Sequence, residues 1–125
     1  MGIACITVHL FYNLLIKMNS TTTALNTLFN RIPRRHTTDN VKEINSIVDD
    51  YEERLKDIEA ENAWYEKNTA AYFDEIEAVR ILIKKSTDNK ASKKNKDDFF
   101  DEASGALKDS MQSLIEMYAD GTITG

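Results

Sequence analysis

Two groups of side chains in this sequence are equipped for chemistry on a phosphate. The first is the cluster Arg31, Arg34, Arg35 and His36, which places one histidine beside three guanidinium groups. The second is the stretch from residue 84 to residue 96, which holds six lysines and one aspartate. Cationic groups of this kind attract phosphate through charge and hydrogen bonds. A nuclease or a nucleic-acid-binding protein is therefore one hypothesis that the residue types support.

The spacing of Arg31 and His36 resembles a pair found in some small helical ribonucleases. In that family both residues lie on one helix and converge on a phosphate, so the resemblance implies a site for RNA cleavage. In this chain Pro33 falls between the two residues. Proline interrupts a helix because it lacks the amide hydrogen and clashes with the preceding turn. The proline argues against a shared helix.

The lysine-rich stretch lacks a second feature of nucleic-acid surfaces. No aromatic residue is interleaved among its cations, so bases would have no ring on which to stack. The chain that follows is acidic, with seven acids and one lysine from residue 97 to the end. We expect a solvated loop and no nucleic-acid partner.

Covalent and metal chemistry have little support in the sequence. The chain has two histidines, both near its N-terminus, and a single cysteine, Cys5. One cysteine supports neither an intramolecular disulfide nor a thiolate metal cluster. We therefore predict no catalytic residue, no metal, no cofactor and no enzymatic activity. A lone cysteine suits a reducing compartment, which favours the cytoplasm, while secretion or membrane association stays open.

The elements that would position these groups are predicted to be helices. One proline and four glycines in 125 residues are too few for a turn-rich β fold. From residue 41 to residue 86 apolar side chains recur at alternating steps of three and four, the heptad pattern of a helix that packs on another helix. Because neither Pro nor Gly interrupts this pattern, it predicts one continuous helix over residues 40–86, roughly 69 Å long.

The flanking regions complete an all-α fold. Residues 1–38 form an apolar and basic N-terminal segment with a short helix at about 23–32. Residues 39–125 form a helical hairpin, in which the long helix is followed by a loop over 87–96 and a helix over 97–120. The predicted fold class is an antiparallel helical hairpin or bundle of three to four helices, with one long coiled-coil-like helix.

The last predicted helix is too short to cover the long one. At about 1.5 Å per residue it spans roughly 33 Å, so it covers only the second half. Either residues 1–32 or a second chain must cover residues 41–61. We expect a protein partner or a homo-oligomer, with a dimer favoured, on a docking edge made of Val41, Ile44, Val48, Tyr51, Leu55, Ile58, Asn62 and Trp64.

Asn62 and Trp64 are the most specific members of this predicted edge. Asn62 occupies an a position of the heptads, where a buried asparagine fixes the register of a parallel dimer by pairing with its twin. The alternative is that Asn62 faces solvent where the helix changes its surroundings. Trp64 falls on an outer position, where an unpaired indole indicates a contact surface. Phe73, Ile81 and Leu82 extend the apolar surface of the second half, which predicts that several neighbours bury it.

Charge is distributed in blocks along the chain. Residues 1–38 contain four Lys or Arg and no acid, whereas residues 41–61 contain eight acids and three bases. Opposite blocks of this kind favour contact with one another, within one chain or between chains. Residues 2–18 are apolar on nearly all sides, which favours a buried packing segment. Membrane contact of residues 2–17 and a working start at Met18 are alternatives.

The function expected from these patterns is a non-enzymatic helical interaction module, an oligomerising adaptor or chaperone-like protein that docks through its long helix. Trp64, with Ala70, Ala71 and Tyr72 after it, also resembles the Trp-x-Gly helical-hairpin proteins exported by type VII secretion. Glu66 stands where that family has its glycine. The resemblance implies a small secreted partner of a bacterial secretion system, as an alternative to the adaptor and to the ribonuclease-like protein.

Overall fold

A computed structural model describes residues 20–124, with side chains up to residue 119, and this part of the chain is helical with short connections. Helix α1 occupies residues 20–31. It is followed by α2 (Thr38–Glu59), α3 (Ala63–Ser86) and α4 (Lys93–Thr124). The described residues contain no strand. The predicted all-α bundle of three to four helices is confirmed.

The predicted continuous helix over residues 40–86 is wrong, because the chain turns at Ala60–Asn62. The Asn62 backbone is extended (φ −166°, ψ 174°), and its side-chain oxygen accepts a hydrogen bond from the Tyr65 amide at 2.9 Å. An asparagine in this arrangement is an N-cap, since it satisfies an amide that has no partner inside the helix. Asn62 therefore caps the start of α3 and does not occupy an a position inside a continuous helix.

The other helix boundaries follow the same capping chemistry, at positions shifted from those predicted. Thr37 caps α2 by accepting from the Asn40 amide at 3.0 Å, so the helix begins two residues before the predicted start. Ser92 accepts from the Asn95 amide at 3.1 Å, and α4 begins at Lys93 instead of residue 97. The same helix continues to Thr124, past the predicted end at residue 120.

The helices alternate in direction and so define two ends of the bundle. At the first, the connector end, His36 stacks on Phe100 with ring centroids 5.1 Å apart, and Ser104 donates to the Pro33 carbonyl at 2.8 Å. At the second, the turn end, the Tyr65 hydroxyl donates to the Tyr118 carbonyl at 3.0 Å. The α1–α2 connector and the α3–α4 loop therefore lie together, opposite the α2–α3 turn.

The core is built from one apolar stripe of each helix. A fully buried aliphatic or aromatic side chain contributes about 1.5–3 kcal/mol relative to exposure, so these stripes dominate the stability of the bundle. Fully or nearly fully buried positions on all four helices include Leu25, Leu28, Ile44, Ile47, Tyr51, Leu55, Ile76, Val79, Phe100, Leu107, Met111 and Leu114. The 24-residue α3 returns along the 22-residue α2, and the 32-residue α4 exceeds both. The predicted uncovered half does not arise.

Candidate functional site

The predicted docking edge lies mostly inside the chain. Five of its members have no exposed surface at all and belong to the core: Ile44, Val48, Tyr51, Leu55 and Ile58. Val41 is half-buried against the same core. The chain's own helices cover these side chains, so they are not free to meet a partner. Asn62 is exposed as a helix cap, and Trp64 alone of the predicted set presents a large apolar surface.

The acidic half of α2 finds its basic partners within the chain. Arg80 of α3 reaches Asp49 at 2.9 Å and Glu52 at 3.3 Å. Arg31, from the basic N-terminal block, reaches Glu43 at 2.8 Å on the other flank. Exposed pairs like Arg31–Glu43 contribute about 1 kcal/mol or less each. Their main effect is to align α1 and α3 on the two sides of α2. This is the contact within one chain that the opposite charge blocks of the sequence favour.

Tyrosine hydroxyls tie the apolar helices to α4. Tyr51 donates to Ser110 at 2.7 Å, since the Ser110 hydroxyl itself donates to Glu75 at 2.6 Å. Tyr72 and Ser113 share a hydrogen bond of 2.8 Å. Burial raises the pKa of the Tyr51 hydroxyl, which stays protonated. Every buried side-chain nitrogen and oxygen within the described residues has a hydrogen-bond partner. The tyrosine–serine hydrogen bonds are part of this pairing of buried polar groups, which stabilises the fold.

A second polar contact closes the turn end. Burial raises the pKa of the Tyr118 hydroxyl to about 12, and this hydroxyl donates to Glu61 at 3.0 Å. The Tyr118 ring stacks on Tyr65 with centroids 5.3 Å apart. These contacts place the α2–α3 turn against α4. They also explain why tyrosines suit the inner positions of this bundle, since each ring fills the core while its hydroxyl reaches a polar atom at the edge.

The Arg31–His36 pair does not converge on a common point. Arg31 faces the carboxylates of α2, whereas His36 lies in the connector, where its Nδ1 donates to Asp97 Oδ1 at 2.7 Å. The hydrogen bond from His36 holds the pKa of the Asp97 carboxyl below its usual value, and Lys93 at 3.3 Å adds to this effect. The two candidate residues of the ribonuclease-like hypothesis therefore serve two separate contacts.

Among the described residues, the outer side of α3 carries both of the large hydrophobic side chains that are exposed. Trp64 is 36% exposed and Ile81 is 55% exposed. Between them Ala71 and Ala78 are exposed as well. We call these four residues the α3 outer face. The prediction that several neighbours bury this half of the pattern is wrong for Ile81. Its position in the heptad lies on the side of the helix opposite the buried stripe, so the heptad position alone was sufficient to predict its exposure.

Cations gather at the connector end. A cavity of about 440 Å³ is lined there by Lys42, Lys93 and Lys96, together with His36 and Asp97. A second cavity of about 690 Å³ includes Ile81, Lys84, Lys85 and Lys90 in its lining. Thr87 lines both cavities. Lys85 lies over the Phe99 ring at 5.6 Å from its centroid, which covers one aromatic face.

A metal site and a membrane span each require a particular arrangement of residues. No group of three His, Cys, Asp or Glu within residues 20–124 is arranged to hold a metal ion. None of the helices in this part of the chain combines the length and apolar character that crossing a bilayer requires. Comparisons of the whole sequence with protein-family models, with curated proteins and with solved structures found no match.

Proposed function

We propose that this protein is a non-enzymatic helical interaction module that forms a homodimer through the α3 outer face. The observation that carries the proposal is the exposure of two large apolar side chains, Trp64 and Ile81, on the same helix. Among the described residues these are the only large hydrophobic side chains with that degree of exposure. Burying such side chains against a second helix removes them from water, which is favourable.

The spacing of the two side chains suits a second copy of the same helix. Trp64 and Ile81 lie about 26 Å apart along the axis of α3. An antiparallel pairing about a two-fold axis midway between them places each Trp64 against Ile81 of the other copy. Ala71 and Ala78 fall between these contacts, where small side chains let two helices approach closely. Both contacts form at once, as an isologous interface requires.

Charges on the same side of α3 agree with this pairing. In the register that opposes Trp64 and Ile81, Lys67 of one copy lies about one helical turn from Asp74 of the other. The two-fold axis repeats this opposite-charge pair. Charged side chains at the rim of an interface contribute to register and to association rate more than to affinity. They thus favour the antiparallel arrangement.

Light scattering coupled to size-exclusion chromatography tests the proposal. We expect the native chain to have twice its monomer mass of 14.3 kDa and to dissociate on dilution. Ile81→Glu should give a monomer, because it places a charge opposite the indole of the second copy. Ser46→Glu, on the exposed side of α2, is the matched control and should remain dimeric. A native chain that stays monomeric at all concentrations would overturn the dimer.

We further propose that the protein acts through this surface as an adaptor or chaperone-like protein. In such a role the α3 outer face would alternate between a second copy and a helix of another protein. Trp64→Ala provides an independent measure, since it removes the larger apolar contact without adding charge. It should weaken the dimer, and it should weaken a partner complex by a similar factor if the two share this face.

A further inference from the structure

We propose that the connector end binds, end-on, to the anionic headgroup surface of a phospholipid bilayer. The fold brings together cations that are distant in the sequence. Residues 33–42 and 84–98 meet at this end and contain nine Lys or Arg against four Asp. All nine except the partly buried Lys96 are exposed. This positive surface belongs to a chain whose formal net charge is −5.

Few of these cations are neutralised within the molecule. Lys93 pairs with Asp97 at 3.3 Å. In the part of the chain that the structure describes, the other eight Lys and Arg of this end form no ion pair. They are Arg34, Arg35, Lys42, Lys84, Lys85, Lys90, Lys94 and Lys96. Their charge is directed to solvent and is available to an external anion.

Two of these lysines lie where the dipole of α4 disfavours a cation. Lys93 and Lys94 begin α4, and its first turn contains no acid. The amide groups at a helix N-terminus carry partial positive charge, which favours acids and disfavours lysines there. A negatively charged surface in contact with this end would reverse that disadvantage.

The opposite end of the bundle is acidic, which gives the molecule a charge dipole along its axis. Residues 52–66 lie at and beside the α2–α3 turn and contain six acids and two bases. A separation of charge of this kind orients a protein in an external field. An anionic surface would attract the connector end of the monomer and repel its turn end, so the monomer would stand on the surface. In the antiparallel dimer proposed above, the acidic turn end of the second copy lies beside this end, so the monomer is the form that binds.

The arrangement of the cations favours a flat, extended partner over a single small anion. Lys84, Lys85 and Lys90 lie around one cavity, and Lys42, Lys93 and Lys96 lie around the other. The cations are thus divided between two cavities and do not line a single one. A planar layer of headgroups contacts both sets together.

Single-stranded nucleic acid fits this end less well than a headgroup layer. Phe99 lies beneath Lys85, and His36 stacks on the buried Phe100. Each contact covers one ring face, which leaves less aromatic surface on which a base could stack. Headgroup phosphates need only charge and hydrogen bonds, which lysines supply.

Vesicle co-sedimentation of the full chain tests the proposal. We expect binding to vesicles of phosphatidylcholine mixed with phosphatidylserine, no binding to vesicles of phosphatidylcholine alone, and loss of binding at high salt. Lys90→Glu combined with Lys94→Glu should lower the partition constant roughly 30-fold or more. Arg54→Glu combined with Lys108→Glu changes the net charge equally, away from the connector end, and should lower it much less.

Three outcomes would overturn the proposal. The first is equal binding to neutral vesicles, which would assign the interaction to apolar residues. The second is an equal loss of binding in both double variants, which would assign it to net charge alone. The third is tighter binding to duplex DNA than to anionic vesicles at the same salt concentration, which would make this end a nucleic-acid site. Circular dichroism spectra matching the native chain would show that both double variants are folded.

Discussion

Helices α2 and α3 direct the same kind of heptad stripe into the core, and they differ on their opposite sides. The outer side of α2 is charged or polar, with Asp49, Asp50 and Ser46 exposed. The outer side of α3 carries Trp64 and Ile81. A heptad stripe therefore identifies the side of a helix that is buried, whether its partner is in the same chain or in another. The residues outside the stripe indicate whether a second contact exists.

The largest expected effect comes from placing a charge in the stripe of α2. Leu55→Asp should destabilise the fold by about 4 kcal/mol or more, because Leu55 has no exposed surface and the carboxylate would lack a partner. Ile81→Asp, on the outer side of α3, should change the free energy of unfolding of the monomer by only about 0.5 kcal/mol.

Urea denaturation monitored by circular dichroism measures both variants. The pair separates two interpretations of the heptad stripe. If Leu55→Asp left the monomer stable and only dissociated an oligomer, the stripe of α2 would face a second chain after all. The internal packing of α2 against α1, α3 and α4 would then be incorrect.

The next effect concerns the hydrogen bonds that tie each helix to α4. Ser110→Ala should cost about 1–3 kcal/mol, because it leaves the buried Tyr51 hydroxyl without its acceptor. Ser113→Ala, the matched change beside Tyr72 of α3, should cost about 1 kcal/mol or less, since Ser113 is exposed and water can replace it. Equal losses of stability in the two variants would mean that burial does not distinguish the Tyr51–Ser110 hydrogen bond from the Tyr72–Ser113 hydrogen bond.

A smaller effect is expected at the turn that separates the two helices. Asn62→Ala should destabilise the protein by about 1 kcal/mol through loss of the cap on the Tyr65 amide. Asn68→Ala, an exchange inside α3, should be neutral or slightly stabilising, because alanine has the higher helix propensity. Thermal unfolding of both variants measures the difference. An increase in stability for Asn62→Ala would indicate that α2 and α3 favour fusion into one helix.

The smallest effect is a pH dependence at the connector end. The pKa of Asp97 is lowered in the folded state by the hydrogen bond from His36. A carboxyl whose pKa is lowered by folding stabilises the protein at pH values above its ordinary pKa of 3.8. This contribution is lost as the pH falls through the lowered pKa. Asp97→Asn should flatten the decline in stability below about pH 4. Denaturation at a series of acidic pH values tests this, and an unchanged slope would remove Asp97 as its cause.

The helices themselves were predictable because their signals are local. The steps of three and four, the scarcity of Gly and Pro, and the apolar inner face of α4 all act within a few residues of one another. The interface was not predictable in the same way. Ile44 and Leu55 have the spacing of a docking edge and also that of an internal stripe, and only the position of α3 and α4 distinguishes the two.

The candidate site was predicted only in part. Trp64 stood out because an indole on an outer position of a charged helix is unusual, and the structure does expose it. The sequence predicts burial of Ile81, because together with Phe73 and Leu82 it broadens the apolar surface of this half of the pattern. The cationic connector end could not be predicted without knowing which loops lie together in the fold. Lys42 and Lys93, for example, are far apart in the sequence yet line one cavity.

By itself the sequence determined the helical class, the buried side of each helix and the opposite charges of its blocks, since these depend on local backbone preferences and on residue period. Only the tertiary structure decided that the chain reverses at Asn62. The heptad pattern continues across that turn, so the period is compatible with one long helix or two antiparallel ones. The choice depends on contacts between distant residues, such as Tyr65 with Tyr118 and Arg80 with Glu52, which form only when α3 folds back.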